Sequence, residues 1–242
     1  MVPDAEFAHP HLAPLYDFVE GDRRDLNAYL GIAEELAADR VVDIGCGTGC
    51  LAVLLAEHGR VVVGVDPAEA SLEVAKSKPL SAGVTWIHGD ATAVAGLSAD
   101  LAVMTGNVAQ IFLTDEDWNR TLEAIRSALR PGGHFVFETR RPERRIWEEW
   151  AADSDHVILE IPGTGTVEQR REVLDVNPPF VCFRHTFRFL ADDTVITSDS
   201  TLRFRSRAAV ESSLRASGFR VLDVREAPDR PGREFVFIAQ RD

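Results

Sequence analysis

Val41-Val42-Asp43-Ile44-Gly45-Cys46-Gly47-Thr48-Gly49-Cys50 runs from a β-branched string into alternating glycines. An apolar run closing on glycines and followed by an amphipathic helix is a strand–turn–helix unit, built so that a ligand can approach the backbone. Gly45 and Gly47 remove the Cβ atoms that would hold a nucleotide off the turn. The helix expected from Leu51 to about His58, apolar at Leu51, Val53, Leu54 and Leu55, offers its free N–H groups to that ligand. A second strand, Val61-Val62-Val63-Gly64-Val65, closes on Asp66, placed to accept both hydrogen bonds of a ribose diol. The unit reads as a nucleotide-cofactor pocket.

The third glycine separates two kinds of nucleotide. Dinucleotide folds use Gly-x-Gly-x-x-Gly, the last glycine bringing helix and strand together over a pyrophosphate. Here the spacing is Gly45-x-Gly47-x-Gly49, and Cys50 stands where a dinucleotide fold needs Gly or Ala. Asp43, two residues before the first glycine, would repel a diphosphate and suits a cofactor carrying an ammonium group.

With 242 residues and 45% hydrophobic content, the chain is long enough for one large α/β domain with a modest cap. No apolar run approaches a membrane span and the N-terminus lacks a basic-then-apolar pattern, so a cytoplasmic protein without membrane contact is expected. The three cysteines, Cys46, Cys50 and Cys182, lack metal-type spacing, and no metal is expected. A net charge of −13 argues against a nucleic-acid partner, even with Arg140, Arg141, Arg144 and Arg145 clustered.

Strands are expected at about 41–45, 61–66, 84–88, 100–105 and 134–139, with helices at 50–58, 68–77 and 115–129 between them. That alternation implies right-handed crossovers and a parallel sheet covered on both faces. Leu129-Arg130-Pro131-Gly132-Gly133 reads as a helix stop and turn. After Trp150 the texture changes to antiparallel strands at Val157–Ile161, 165–175, 181–190 and 194–205, then a helix at 207–216 and a last pair at Phe219–Glu226 and Glu234–Gln240. The expected fold is α/β: a Rossmann-like, seven-stranded, mostly parallel sheet with a terminal antiparallel hairpin and an inserted antiparallel strand block. Residues 1–242 form one domain, divided into an N-terminal helical lid (1–39), a core (40–150 and 206–242) and an inserted substrate cap (151–205).

This order resembles the class I S-adenosylmethionine-dependent methyltransferases, of the small-molecule type. Asp43-x-Gly45-x-Gly47-x-Gly49 is similar to their first motif, Asp66 to the ribose-binding acid, and Gly89-Asp90-Ala91 to a Gly-Asp-Ala motif. Leu129 to Gly133 is similar to their Leu-x-Pro-Gly-Gly turn. The resemblance implies S-adenosyl-L-methionine as cofactor, S-adenosyl-L-homocysteine as product, and methyl transfer to nitrogen or oxygen of a small molecule. It implies cofactor contacts from Tyr16, Asp43, Gly45, Cys46, Gly47, Asp66, Pro67, Asp90, Ala91, Thr105 and Gly106, with Pro67 beside the adenine plane and the Asp90 side chain on its amino group. Met104-Thr105-Gly106-Asn107 departs from the Asn-Pro-Pro-Tyr signature of adenine and glutamine methyltransferases. A protein or RNA methyltransferase, a nicotinamide oxidoreductase and a non-catalytic cofactor-binding homologue remain as alternatives.

Methyl transfer from a sulfonium requires mainly alignment, and a base only when the nucleophile arrives protonated. The site should lie at the carboxyl ends of the strands, which sets aside His134 at the start of its strand. Candidate substrate contacts are Asn107, Gln110, Arg140 as an anion clamp, and Trp147, which shares a helix face with Trp150. Those tryptophans read more often as core than as a cage, although an aromatic wall would suit an amine. Candidate bases are Glu138, whose plainer reading is a salt-bridge partner, and His185, because imidazole titrates near neutrality. Trp86 reads as plain core. An exposed edge of the inserted block would allow a homodimer as well as a monomer.

Overall fold

Among the described residues before the first strand, three short α-helices form, α1 (Ala5–Ala8), α2 (Tyr16–Glu20) and α3 (Leu26–Glu35). The structure is a computed structural model describing residues 2–152 and 156–242. Residue 1 of the expected lid and residues 153–155 of the expected insertion lie outside the described residues. The glycine-rich unit is formed by β1 (Arg40–Ile44), α4 (Cys50–Glu57) and β2 (Val61–Asp66). Then follow α5 (Glu69–Ser77), β3 (Val84–His88), β4 (Ala99–Met104), α6 (Asp115–Ala128), β5 (Leu129–Arg140) and α7 (Ile146–Ala152). The later elements are β6 (His156–Ile161), β7 (Gly165–Asn177), β8 (Phe180–Phe189), β9 (Thr194–Arg203), α8 (Arg207–Ala216), β10 (Phe219–Arg225) and β11 (Glu234–Arg241).

The main sheet has the order β10-β11-β5-β4-β1-β2-β3. β1 to β5 run parallel, and β11 and β10 close the edge antiparallel. Neighbouring residues on a strand face opposite sides, so the sheet needs two cores. Val42, Ile44, Met104, Phe135 and Phe137 pack under α6 and α8, with Trp118, Leu122 and Leu214 among the buried contacts. Val41, Leu101, Val103 and Val136 pack under α3 and α4 through Tyr29, Ile32, Leu51 and Leu55. α6 starts where the Thr114 hydroxyl accepts the Asp117 N–H, with Asp115, Glu116 and Asp117 along its first turn.

The Pro-Gly-Gly turn does not stand apart from β5. Ala99 pairs with Leu129 and Leu101 with His134, so Arg130 to Gly133 are taken up as an irregularity within the strand. Gly133 runs close to the carbonyls of Asp100 and Ala99, where a Cβ would collide at 3.1 Å with the latter.

β6 to β9 form a separate antiparallel sheet. Leu12 and Leu15, from the segment before α2, pack into its apolar side against Ile161, Val167, Phe187 and Phe189. Trp147 and Trp150 of α7 pack with Val181, Leu202 and Phe204. The N-terminal segment is therefore fastened to the second sheet as well as to the main one.

Chain order reverses beside β1, which has β2 on one side and β4 on the other. Open α/β sheets bind ligands outside the carboxyl ends of their strands at such a switch point.

Candidate active site

Beyond β1 the turn is held by its neighbour strand. The N–H groups of Gly45 and Cys46 donate to the Val65 carbonyl at 2.9 and 3.1 Å. Asp66 accepts the Gly47 N–H at 2.8 Å on one oxygen and the Ala68 N–H at 2.8 Å on the other. The acid expected to meet a ribose thus also fixes the glycine turn in place. Gly47, at φ +52°, has no protein atom within 4 Å of where a Cβ would stand.

Gly49 and Gly64 serve a different neighbour. A Cβ on Gly49 would lie 2.4 Å, and one on Gly64 2.7 Å, from the Trp86 ring. The third glycine therefore admits an indole. Trp86 packs half-buried against the core, as expected, with its ring over Gly49 and Gly64 and its N–H donating to the Ser81 carbonyl at 3.1 Å.

A cavity of about 470 Å³ opens between this turn, the N-terminal segment, the 105–107 loop and the second sheet. Tyr16, Asp43, Gly45, Cys46, Gly47, Asp66, Pro67, Thr105 and Gly106 all line it. An adjoining, mostly apolar slot is lined by Ile44, Val65, Pro67, Ala91, Val108 and Phe112, with Asp90 beside them. Burial raises the Tyr16 phenol well above its ordinary range, so it stays protonated.

Asp43 is 1% exposed, and its Oδ1 has no hydrogen-bond partner among the described residues. Burial, then the nearby Asp66 carboxylate, pushes its pKa up to about 7. A buried carboxylate oxygen without a donor, inside a cavity, suits a ligand bringing a cation. The Cys46 thiol is raised by burial and then by Asp43 and Asp66, which keeps it protonated and unreactive.

Several expected contacts are redirected. One oxygen of Asp90 accepts the Thr92 N–H at 2.9 Å and the Thr92 hydroxyl at 2.5 Å, capping the turn Ala91–Val94. These bonds hold its carboxyl below the usual range. Glu138 is 1% exposed and does not line the cavity. It accepts the Tyr29 hydroxyl on one oxygen and the N–H groups of Gly106 and Asn107, at 2.7 and 3.3 Å, on the other. Its bonds run to Tyr29 and to the 106–107 backbone, one layer away from the cavity.

Gln110 is fully buried and lies behind Arg140, accepting its Nη1 at 3.1 Å. Asn107 lines the cavity, yet its side-chain amide donates to Glu234 at 3.0 Å. Trp147 packs edge-on against Phe204, and it is Trp150, one turn later, that lines the cavity. Gln110 and Trp147 are thus supports behind the wall and not parts of it.

His185 does line the cavity, from β8. Its Nδ1 lies 2.8 Å from Oε2 of Glu6, which is 7% exposed and whose N–H donates to the Ser198 hydroxyl at 2.8 Å. On the glycine-turn side, Asp17 accepts the Thr48 hydroxyl at 2.5 Å and pairs with Lys78 at 2.6 Å. Glu6, Arg171 and Phe183 escape the sequence reading. Glu6 meets its partner His185 only across 179 residues of chain, whereas Tyr16-Asp17 precedes the first strand as a visible pair.

Residues 41–133 match a family model described as a methyltransferase domain. The ubiquinone biosynthesis O-methyltransferase of Pectobacterium atrosepticum is 28% identical over 139 residues, 57% of this chain and 58% of that one. The chain spans about half the length of the curated relatives it matches. The sugar N-methyltransferase KedS8 of Streptoalloteichus superposes with a TM-score of 0.78 at 17% identity, over 94% of this chain and 91% of that one. The amino pentose methyltransferase CalS10 of Micromonospora echinaspora, solved with S-adenosylmethionine bound, gives a TM-score of 0.73 at 20% identity, over 94% and 97%. At these identities the structural likeness is one of fold.

Proposed function

The chain belongs to the class I S-adenosylmethionine-dependent methyltransferase family, and from that premise we propose that it methylates a nitrogen or oxygen of a small molecule. The observation that carries this reading is the unpaired, buried Asp43 oxygen, set with Asp66 and the open Gly47 around one cavity. When bound there, S-adenosylmethionine supplies an activated methyl group on a sulfonium.

Asp43 would hold the ammonium, Asp66 the ribose hydroxyls, and the slot beside Pro67, Ala91 and Val108 the adenine. Asp90 and the Ala91 N–H would read the edge of the ring. Thr105 and Gly106 would meet the methionine part, their backbone fixed from behind by Glu138. Tyr16 closes this end, its hydroxyl 3.9 Å from a Cβ placed on Gly106.

At the acceptor end His185 takes the proton of a hydroxyl or ammonium nucleophile. With Nδ1 engaged by Glu6, Nε2 is the nitrogen left to accept it. Residues 1–39 act as the lid and residues 151–205 as the cap, because both fasten to each other around the cavity. Incubation with S-adenosylmethionine and a panel of small acids, amines and phenols tests the proposal. The expected outcome is an acceptor gaining one methyl group, dependent on Asp66 and on His185.

A further inference from the structure

Three buried side-chain oxygens lack a hydrogen-bond partner among the described residues: Asp43 Oδ1, Asn107 Oδ1 and Glu234 Oε2. Asp43 and Asn107 line the large cavity, and Glu234 does not. The Asp43 oxygen is accounted for by the ammonium of the cofactor, and the Asn107 oxygen asks for a second donor. Asn107 lies beyond the carboxyl end of β4, and its neighbour Val108 abuts the glycine turn, where a Cβ on Gly45 would stand 2.8 Å from it. In the other direction the Asn107 amide meets Glu234, which stands 3.9 Å from Arg140 Nε, and the Arg140 Cζ lies 5.3 Å from the Trp150 ring centroid. Asn107 thus stands between the cofactor turn and the wall of the acceptor end.

Every other polar atom of Asn107 is committed. Its N–H donates to Glu138 at 3.3 Å, its carbonyl accepts the Gln110 N–H at 2.9 Å, and its Nδ2 donates to Glu234 at 3.0 Å. Its backbone is left-handed, at φ +61°, a conformation that asparagine takes more readily than most residues. Glu234 decides which way round the amide sits. This carboxylate is 1% exposed and paired with Arg230 at 3.1 Å, so a flipped amide would set oxygen against oxygen. A carbonyl oxygen shut away from water without a donor costs free energy until a ligand supplies one.

The geometry points to Asn107 Oδ1 as the acceptor of an N–H from the amine that takes the methyl group, with Glu234 as the residue that positions it. This inference rests on the methyl-transfer reading above and names the nucleophile. An ammonium carries hydrogens for two partners. One proton passes to His185 and frees the lone pair, while another N–H stays on Asn107 as that lone pair takes the methyl carbon from sulfur. A hydroxyl has a single hydrogen, for which His185 alone accounts. Asn107 takes no proton; it turns the lone pair toward the methyl group.

The test is calorimetric titration of the full chain with S-adenosylhomocysteine and with sinefungin, the cofactor analogue that carries an amine where the methyl group would stand. The parent chain should bind sinefungin about tenfold or more tightly than S-adenosylhomocysteine. Asn107→Gly suits the left-handed backbone and removes the amide, so it should erase that preference while still binding S-adenosylhomocysteine. Glu234→Gln offers the amide both a donor and an acceptor, which permits the flip, and should diminish the preference; it carries the test where the glycine variant fails to fold. The cavity wall holds charges of both signs, Glu20 and Arg140 among them, so the variants and not the parent alone single out Asn107. Equal affinity for the two ligands in the parent, or a preference undiminished in the variants, overturns the inference. Failure of S-adenosylhomocysteine to bind defeats the methyl-transfer reading, whereas its binding without a preference for sinefungin defeats this inference alone.

Discussion

Oε2 of Glu6 and Nδ1 of His185 stand 2.8 Å apart although 179 residues separate them in the chain. The pair joins α1 of the N-terminal segment to β8 of the second sheet, and Ser198 and Ser200 of β9 add bonds to Glu6 and Asp4. A carboxylate that holds one ring nitrogen fixes the orientation of the other. His185→Ala is therefore expected to lower kcat about 100-fold or more for an acceptor that must lose a proton. Glu6→Gln keeps the hydrogen bond and loses the charge, and should cost roughly tenfold. Turnover of the two variants against the parent chain checks this, and an unchanged kcat in His185→Ala assigns His185 to packing.

Glu138 should behave differently. Its oxygens are taken by Tyr29 and by the 106–107 backbone, so Glu138→Gln is expected to slow turnover without moving the pH profile. Tyr29→Phe removes the hydroxyl from a buried carboxylate and should cost about 1–3 kcal/mol of stability. Urea unfolding measures that loss, and a shifted profile in Glu138→Gln would restore the carboxylate as a base.

Asp43 gives a pH dependence whose sign is fixed by its environment. Its folded-state pKa, pushed up to about 7 by burial and the Asp66 carboxylate, lies above the ordinary carboxylate value it has in the unfolded chain. Between those values the folded chain binds more protons than the unfolded one, so this group's contribution to stability falls as pH rises through that window. Thermal unfolding of the ligand-free protein should show Asp43→Asn flattening the decline between about pH 4 and 7. A ligand ammonium favours the charged form, so cofactor affinity should fall below pH 7 in the parent chain and lose that dependence in Asp43→Asn.

The glycines separate stability from binding. Gly49→Ala drives a methyl into Trp86 at φ +78°, and should cost about 2–4 kcal/mol or more, as overpacking and backbone strain combine. Gly47→Ala, at φ +52° with open space ahead, should cost only about 1–2 kcal/mol yet weaken cofactor binding strongly. Paired melting curves and titrations check the contrast. Equal losses of stability would remove the distinction between the two positions.

The parallel core was legible because its signals are local. β1, α4 and β2 follow from ten consecutive residues and the apolar run after them, and the alternation of strands and helices follows from period. The irregularity at Arg130 to Gly133 was hidden, since a turn sequence folded into a strand looks like any turn. At the site, the glycine-loop residues line the cavity, whereas Glu138, Gln110 and Trp147 each stand one layer away from it. Strand and helix periodicity tells which face a side chain takes, but not whether Tyr29 or Arg140 stands between it and the ligand. Glu6 and Arg171 depend on the second sheet folding back over the first, which no local pattern announces.

Titration of the purified protein with S-adenosylhomocysteine, with NADH as comparator and Asp66→Ala as control, tests the central claim most directly. The account predicts binding of S-adenosylhomocysteine alone, in the micromolar range, with a marked loss in the variant. Binding of NADH alone, or of neither ligand, would contradict it.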